Sequence, residues 1–317
     1  MAQPPYRIIW ERLLQGRVIP FFGAGASMSG RPAMSAWTNK TSTFPPSGRE
    51  LSRELAKDSE FPAAEPREEE DLAKVSSYYV EASGRKILRE KLRKVLDHPY
   101  PIGSLHRLVA QAAKATPLMI VTTNYDALIE NALAAEGVDH DLVIYDTDSL
   151  EYQNCVQVRK TLADGSSIFE FQPSNRVSLP KIDVPDGYWQ FVKTVVFKMH
   201  GSISPAKREL DSFVITEEDY IGFLSRFSQS SAIPSQFLTY FRQCSFLFLG
   251  YGLADWNLRV VLNNLRSYLP ESEGGKSWAI QRDVSLLEST LWAKRGVNLY
   301  ELDLDQFTTR LEGVAQT

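Results

Sequence analysis

An apolar run that ends in a glycine turn places the strongest constraint on this fold. Residues 18–22 read Val-Ile-Pro-Phe-Phe, and residues 23–27 read Gly-Ala-Gly-Ala-Ser. This pattern predicts a buried strand that ends in a tight turn. Glycines let the backbone approach a ligand closely, and amides at the start of a following helix bind phosphate. The turn therefore favours a nucleotide ligand. The usual dinucleotide fingerprint has a third glycine where this chain has Met28, so a turn without a ligand stays an open alternative.

Length and composition restrict the class of protein. The chain has 317 residues, of which 43% are hydrophobic, and this predicts a substantial core in one large domain over residues 1–317. Its formal net charge is -4 without a long basic run, so we expect no direct contact with nucleic acid. No apolar run is long enough to cross a membrane, and no signal segment is evident, so we expect a cytoplasmic protein. Cys155 and Cys244 lie too far apart for a Cys-x-x-Cys motif, so the sequence supports neither a disulfide framework nor a structural zinc site.

Short apolar runs alternate with amphipathic segments along much of the chain. This order predicts an α/β fold, a Rossmann-like doubly wound parallel sheet covered by helices on both sides. Two segments interrupt the alternation. Residues 47–115 read as a helical insertion, and residues 146–192 read as a smaller mixed insertion with a hairpin turn at Asp164-Gly165.

Three further motifs follow predicted strands. They read Thr-Thr-Asn-Tyr-Asp at residues 122–126, Met-His-Gly-Ser at residues 199–202, and Gly-Tyr-Gly-Leu-Ala-Asp-Trp-Asn at residues 250–257. In parallel sheets, ligands bind beyond the carboxyl ends of the strands. We therefore expect folding to gather these motifs and the first turn along one edge of the sheet.

Several polar residues in these motifs have two open interpretations. His200 has an imidazole suited to accept a proton near neutral pH, but a lone histidine after a strand is often structural. Asn124 and Asp126 fit either a ligand site or the cap of the next helix. The same choice applies to Asp255, which precedes a predicted amphipathic helix.

In this order, the four motifs resemble the NAD-binding core of the sirtuin superfamily, and above all its prokaryotic, defence-associated SIR2-like branch. The resemblance implies that His200 is the catalytic base, that Asn124 holds the ribose or the attacking water, and that Asp126 lines the nicotinamide pocket. It implies no metal. Thr123 replaces a glutamine of the sirtuin pattern. The further positions that the resemblance assigns to NAD binding are Gly23, Ala24, Gly25, Ser27, Thr123, Gly201, Gly250, Tyr251, Gly252 and Asp255.

The resemblance implies an NAD hydrolase that releases nicotinamide and ADP-ribose and depletes NAD in antiphage defence. Proteins of this branch act as homo-oligomers or with a partner such as a hexameric ATPase, a helicase or an Argonaute-like protein. A sensor that binds NAD or ADP-ribose without turnover is the alternative. Protein deacylation is disfavoured for two reasons. Deacylating sirtuins carry a four-cysteine zinc module, whereas this chain has only two cysteines. They also have an Ile-Pro-Asp-Phe-Arg-like loop, and of that pattern this chain retains only Pro32.

Overall fold

The structure is a computed structural model of the single chain. It describes residues 3–32, 35–39, 41–147, 154–161, 166–204, 208–228, 232–251, 277–282 and 284–316. The predicted site residues Gly252 and Asp255, the helix expected after them, and the hairpin turn at Asp164-Gly165 lie outside these ranges.

One large sheet forms the centre of the molecule. Its strands, in chain order, are β1 (Val18–Phe22), β2 (Met119–Thr122), β3 (His140–Tyr145), β4 (Cys155–Thr161), β5 (Ser167–Pro173), β8 (Thr194–Lys198), β11 (Ser245–Leu249), β12 (Ser277–Gln281) and β13 (Val297–Glu301). They are arranged in the order β13-β12-β11-β1-β2-β8-β3-β4-β5. All neighbours pair in parallel except β3 with β4 and β4 with β5. The predicted doubly wound α/β fold is confirmed.

The chain reverses direction across the sheet next to β1. After β1 it moves to β2 and β3 on one side, and it later returns to β11 on the other side of β1 and continues to β12 and β13. Such a reversal leaves a crevice between the carboxyl ends of β1 and β11, where open α/β sheets bind ligands.

Helices cover both faces of the sheet. One face packs against α1 (Tyr6–Leu14), α5 (Ser104–Ala115), α6 (Leu128–Ala135) and α10 (Leu304–Ala315). The other face packs against α7 (Glu217–Ser228), α8 (Ser235–Phe241) and α9 (Leu286–Ala293). Side chains alternate along β1, since Ile19 and Phe21 enter one cluster whereas Val18 and Phe22 enter the other. Each face of the sheet therefore has its own apolar core.

The first insertion forms a third apolar cluster beside the sheet. Its elements are α2 (Gly48–Asp58), a 3-10 helix (Pro66–Glu70), α3 (Leu72–Ser83) and α4 (Arg85–Leu96). They bury Leu55, Val75 and Leu88 among themselves and meet the sheet side through Phe213 and Ile215. Helix α5 packs instead against α1, α6 and α10. It therefore belongs to the layer that covers the sheet, although it ends the segment predicted as helical.

The second insertion contributes to the main sheet. Strands β4 and β5 form the predicted antiparallel hairpin, and β4 pairs with β3, so the hairpin extends the sheet at one edge. A separate ladder joins β6 (Lys181–Val184) and β7 (Tyr188–Phe191). A second small ladder joins β9 (Gly201–Ser202) and β10 (Ser212–Phe213).

In the described part of the chain, no helix is both long and apolar enough to span a bilayer.

The turns after β1 and β11 lie directly against each other. The amide of Gly25 donates to the carbonyl of Gly250 at 2.9 Å, and the amide of Gly23 donates to the carbonyl of Leu249 at 2.9 Å. A Cβ on Gly250 would lie 2.1 Å from the backbone nitrogen of Ala26. The sequence suggested that glycine here makes room for a ligand. The structure shows that it first lets two backbone segments meet.

Replacing Gly250 with alanine is expected to lower the free energy of unfolding by more than about 2 kcal/mol. The new methyl group would collide with backbone, and the φ of +75° disfavours any side chain. Urea unfolding of the variant and the wild type measures the change.

The matched control is Gly313→Ala. Gly313 lies in α10 with no atom within 4 Å of a built Cβ. This change is expected to raise stability by about 0.5 kcal/mol, because alanine favours helix. Equal effects of the two alanines would show that the contact between the turns is unimportant.

Candidate functional site

The predicted motifs meet at the carboxyl edge of the sheet, beside the reversal next to β1. A cleft of about 530 Å³ opens there, a volume in the usual range for small-molecule sites. Eight of the predicted site residues line it: Ala24, Ser27, Thr123, Asn124, Asp126, His200, Gly250 and Tyr251. Gly25 lines a neighbouring cavity. Gly23 lies behind the cleft, and Gly201 is buried in the β9–β10 ladder.

The hydroxyl group of Ser27 links the first turn to the loop after β2. It donates to Asp126 Oδ2 at 2.7 Å and accepts from Asn124 Nδ2 at 2.9 Å. Nδ2 of Asn124 also donates to the carbonyl of Gly23 at 3.0 Å. Both N–H groups of the Asn124 amide are therefore used within the protein, and Oδ1 is the atom that this side chain offers to a ligand.

Asp126 combines the two roles that the sequence left open. Its Oδ1 accepts from the amide of Leu128 at 3.0 Å and so caps α6, while its Oδ2 accepts from Ser27. The residue is buried at the wall of the cleft. A buried carboxylate with both oxygens held in place is a fixed negative charge, which favours a cation nearby.

Thr123 and Tyr251 connect the same loop to the end of β11. The two hydroxyl groups lie 2.7 Å apart, and Tyr251 donates to the carbonyl of Phe22 at 3.0 Å. The ring of Tyr251 packs edge-on against Phe21, with ring centroids 5.2 Å apart. Tyr251 thereby separates the main cleft from the second cavity and lines both.

His200 lies on the apolar side of the cleft. Its ring meets Tyr220 and Phe223 edge-on at centroid distances of 5.5 Å and 5.2 Å. No described residue gives its Nε2 a hydrogen-bond partner. Burial lowers the pKa of His200 to about 3, because an apolar environment disfavours the imidazolium ion. The side chain is therefore neutral at physiological pH.

The helical insertion and the loop before it form the outer wall. Pro45, Pro46 and Arg49 line the cleft, together with the acidic residues Glu70 and Asp71 of the insertion. With Asp126, these carboxylates outnumber the arginine, so the charged residues that line the cleft are mostly acidic.

Glu50 holds the loop that carries the two prolines. Its carboxylate pairs with Arg31 at 2.6 Å and accepts from the backbone amides of Trp37 and Ser47 at 2.9 Å each. Burial opposes the charged form, but the hydrogen bonds from Arg31, Ser47 and Trp37 outweigh it and lower the pKa of Glu50 to about 2. This loop is therefore tied to the start of α2 and forms a fixed rim of the cleft.

A second cavity of about 310 Å³ lies on the other side of the Gly250-Tyr251 segment. Its floor is the backbone of the first turn, and its far wall carries Asp303 and Asp305 from the start of α10. Asp305 accepts from the hydroxyl group of Ser29 at 2.6 Å. Asp303 pairs with Arg282. The two cavities therefore lie on opposite sides of the contact between the turns after β1 and β11.

Some residues of the site were not predicted. Tyr220 of α7 lines the cleft, whereas Phe223 and Phe227 of the same helix are buried in the core. His106 of α5 is buried and stacks on Phe22 with ring centroids 5.2 Å apart, and burial lowers the pKa of His106. Helical spacing shows which residues share a face, but it does not show where on that face a cleft opens.

The arrangement offers a neutral base, an amide oxygen and a fixed carboxylate around one space. These groups suit a reaction in which positive charge develops on the substrate and a proton leaves a nucleophile. Among the described residues, no three His, Cys, Asp or Glu side chains form a cluster that would hold a metal ion.

Comparison with known proteins identifies relatives of the chain. The family model described as a SIR2-like domain matches residues 118–300. The NAD(+) hydrolase ThsA of Enterococcus faecium is 27% identical over 270 residues, which cover 83% of this chain and 43% of that protein. The NAD(+) hydrolase ThsA of Acinetobacter baumannii (strain 532279) is 27% identical over 268 residues, which cover 84% and 42%. The chain thus spans less than half the length of these curated relatives.

Two solved chains align with 99% of this chain at 12% identity. One comes from a study of the mechanism and regulation of Sir2 enzymes, with 98% of that chain covered and a TM-score of 0.43. The other is Sir2Tm bound to a propionylated peptide, with 99% covered and a TM-score of 0.38.

The low pKa of His200 predicts a pH-dependent contribution to stability. The unfolded chain protonates His200 near pH 6.5, whereas the folded chain does so only near pH 3. The contribution is therefore constant above pH 6.5 and is lost as the pH falls below that value. Between pH 7.5 and 5.5, wild type is expected to lose about 1.4 kcal/mol of unfolding free energy relative to His200→Gln, which cannot titrate. Urea unfolding at both pH values measures this difference. A difference that does not change with pH would contradict the burial of a neutral imidazole.

Proposed function

This chain belongs to the SIR2-like domain family, and from that premise we propose that it is an NAD(+) hydrolase, an NAD glycohydrolase that cleaves the bond between nicotinamide and ribose. NAD is the substrate, and no metal takes part in the proposed reaction. The proposal assigns roles to side chains that the structure describes.

One observation carries the proposal. His200, Asn124 and Asp126 come from two different strand ends, and they line one cleft beside the first glycine turn. They are the residues to which the sirtuin resemblance assigns catalysis. A chain that used these residues only for capping or core packing would not need a cleft of about 530 Å³ at the point where they meet.

The two cavities suggest how NAD lies in the site. We assign the nicotinamide and its ribose to the main cleft and the adenosine half to the second cavity. The diphosphate would cross between them along the first turn and Gly250-Tyr251, which line both spaces. Asp303 and Asp305, on the wall of the second cavity, present carboxylates to which ribose hydroxyl groups can donate.

In the proposed reaction, the bond from the ribose C1′ to the nicotinamide nitrogen breaks, and its electron pair stays on nicotinamide. The ribose becomes an oxocarbenium-like cation, which the carboxylate of Asp126 stabilises through space. A water molecule held by Asn124 Oδ1 bonds to C1′ and loses a proton to the imidazole of His200. Among the described residues, Nε2 of His200 has no hydrogen-bond partner, which leaves it available to this proton. The acidic residues of the cleft suit the cationic nicotinamide ring of the substrate.

A biological role for the protein follows from the proposed activity. We propose that the protein depletes NAD as a cytoplasmic effector of antiphage defence, as a homo-oligomer or with a partner ATPase, helicase or Argonaute-like protein. The resemblance to the defence-associated branch and the similarity to proteins named NAD(+) hydrolase ThsA support this role. A destructive activity of this kind must be restrained until infection triggers it.

Purified protein is expected to release nicotinamide from NAD, and His200→Ala is expected to reduce kcat by about 100-fold or more, because the general base is lost. Asn124→Ala is expected to reduce it by at least about 10-fold, because the attacking water is no longer oriented. Chromatographic measurement of nicotinamide and ADP-ribose gives the rates. The protein is assayed alone and with candidate partners, since the proposed role includes a trigger.

The control variant is His98→Ala, because His98 is exposed and does not line the cleft. It should retain the wild-type rate. Binding of NAD or ADP-ribose without turnover under every condition would favour the sensor. Nicotinamide release that depends on an acylated peptide would favour deacylation.

A further inference from the structure

Lys198 is a wholly buried lysine directly beneath the site. It ends β8, two residues before His200, and its side chain has 0% exposure. It lies on the face of the sheet that α6 covers, where it meets Glu130 of that helix. A buried ammonium group is costly unless all its N–H groups find acceptors. Its acceptors therefore show what the residue does.

The Lys198 ammonium group has three N–H groups and three acceptors. It donates to Glu130 Oε1 at 2.9 Å, to the backbone carbonyl of Tyr125 at 3.4 Å, and to the backbone carbonyl of Asp126 at short range. An ammonium group has no further donor. Two of its three hydrogen bonds therefore go to backbone of the loop after β2.

That loop is held from two sides. From the cleft side, Ser27 binds the side chains of Asn124 and Asp126. From below, Lys198 binds the carbonyls that immediately follow Asn124. The peptide groups of Tyr125 and Asp126 thus have little freedom to rotate. Without Lys198, the carbonyl of Asp126 would lose the buried donor that Lys198 supplies, and the loop would have to shift to satisfy it. The carbonyl of Tyr125 would keep the amide of Ile203 at 3.3 Å.

We propose that Lys198, with Glu130 as its counter-charge, is a positioning residue that fixes the loop of Asn124 and Asp126 against the first turn and His200. The proposal rests on the proposed hydrolase function for its effect on rate. Its effect on the loop is independent of activity. Glu130 accepts a hydrogen bond from the ammonium group, which also donates to the loop, and Glu130 lines neither of the two cavities.

The main test replaces both members of the pair with methionine, Lys198→Met with Glu130→Met. This exchange leaves no unpaired buried charge, and such replacements often preserve stability. The kcat is calculated per site that binds ADP-ribose, so that unfolded protein does not count. It is expected to fall by about 10-fold to 100-fold, because a small displacement of positioning groups slows a reaction strongly. KM should stay within about 3-fold, since the adenosine half binds elsewhere. Glu130→Gln, which keeps an oxygen acceptor for Lys198, should retain most of the wild-type kcat.

A matched control is Lys91→Met. Lys91 of α4 pairs with two carboxylates, Glu54 and Asp58, and its side chain is 15% exposed. Both carboxylates lie in α2, away from the loop after β2. A merely structural role of Lys198 would reduce the number of binding sites and leave the kcat per site unchanged. That result would overturn the proposal.

Amide hydrogen exchange of residues 122–128, followed by mass spectrometry, gives a readout without turnover. Exchange is expected to speed up in the double methionine variant and to stay at the wild-type rate in Lys91→Met. Unchanged exchange in the double variant overturns the proposal whether or not the enzyme is active. Faster exchange in a protein whose wild type never releases nicotinamide supports the positioning role and refutes the hydrolase. Should the double variant not fold, Lys198→Gln serves both measurements, because its amide has only two N–H groups and cannot make all three hydrogen bonds of the ammonium group.

Discussion

Two backbone turns rest on each other at the carboxyl edge of the sheet, and the site is arranged around that contact. The Gly25 amide donates to the Gly250 carbonyl, and a Cβ on either glycine would lie under 3 Å from the backbone of the other turn. The contact sets the separation of the ends of β1 and β11, where the chain reverses across the sheet. The main cleft lies on one side of it and the second cavity on the other. A ligand that reaches both cavities must cross this pair of turns, which is why a dinucleotide suits the site.

The main cleft has two walls of different chemistry. Around His200 the wall is aromatic, and this environment keeps the imidazole neutral. Opposite it, Ser27, Asn124 and Asp126 form a network in which each polar group is held by another. In the proposed reaction, the fixed dipoles of this network would stabilise the cation that develops on the ribose. Beneath the network, the buried ion pair of Lys198 and Glu130 supports the loop after β2.

The helical insertion completes the cleft. A doubly wound sheet alone leaves the space above its carboxyl edge open to solvent. Here Leu51, Leu72 and Leu96 come from three helices of the insertion and line the cleft, and the insertion packs onto Phe213 and Ile215. The loop pinned by Glu50 closes the remaining side. Enclosure of this kind excludes water that would otherwise screen the charges of the site.

The sequence by itself determined the elements whose signals are local. The extent of β1 over residues 18–22 and the antiparallel pairing of β4 with β5 agree with predictions from runs of a few residues. The four ordered motifs were expected along one edge of the sheet, and eight of the predicted site residues line the cleft there, because parallel strands place their carboxyl ends together. Helix α8 was not predicted, although the spacing of its buried apolar residues is also a local pattern.

Only the tertiary structure decided which side chains contact one another. It placed Tyr220 in the cleft and buried Lys198 against Glu130, 68 residues away, and it brought Tyr251 to Thr123 across 128 residues. It also joined the second insertion to the edge of the main sheet. Periodicity and capping act over a few residues, whereas these contacts depend on how whole elements pack, and packing depends on the combined shape of many side chains that no local pattern contains.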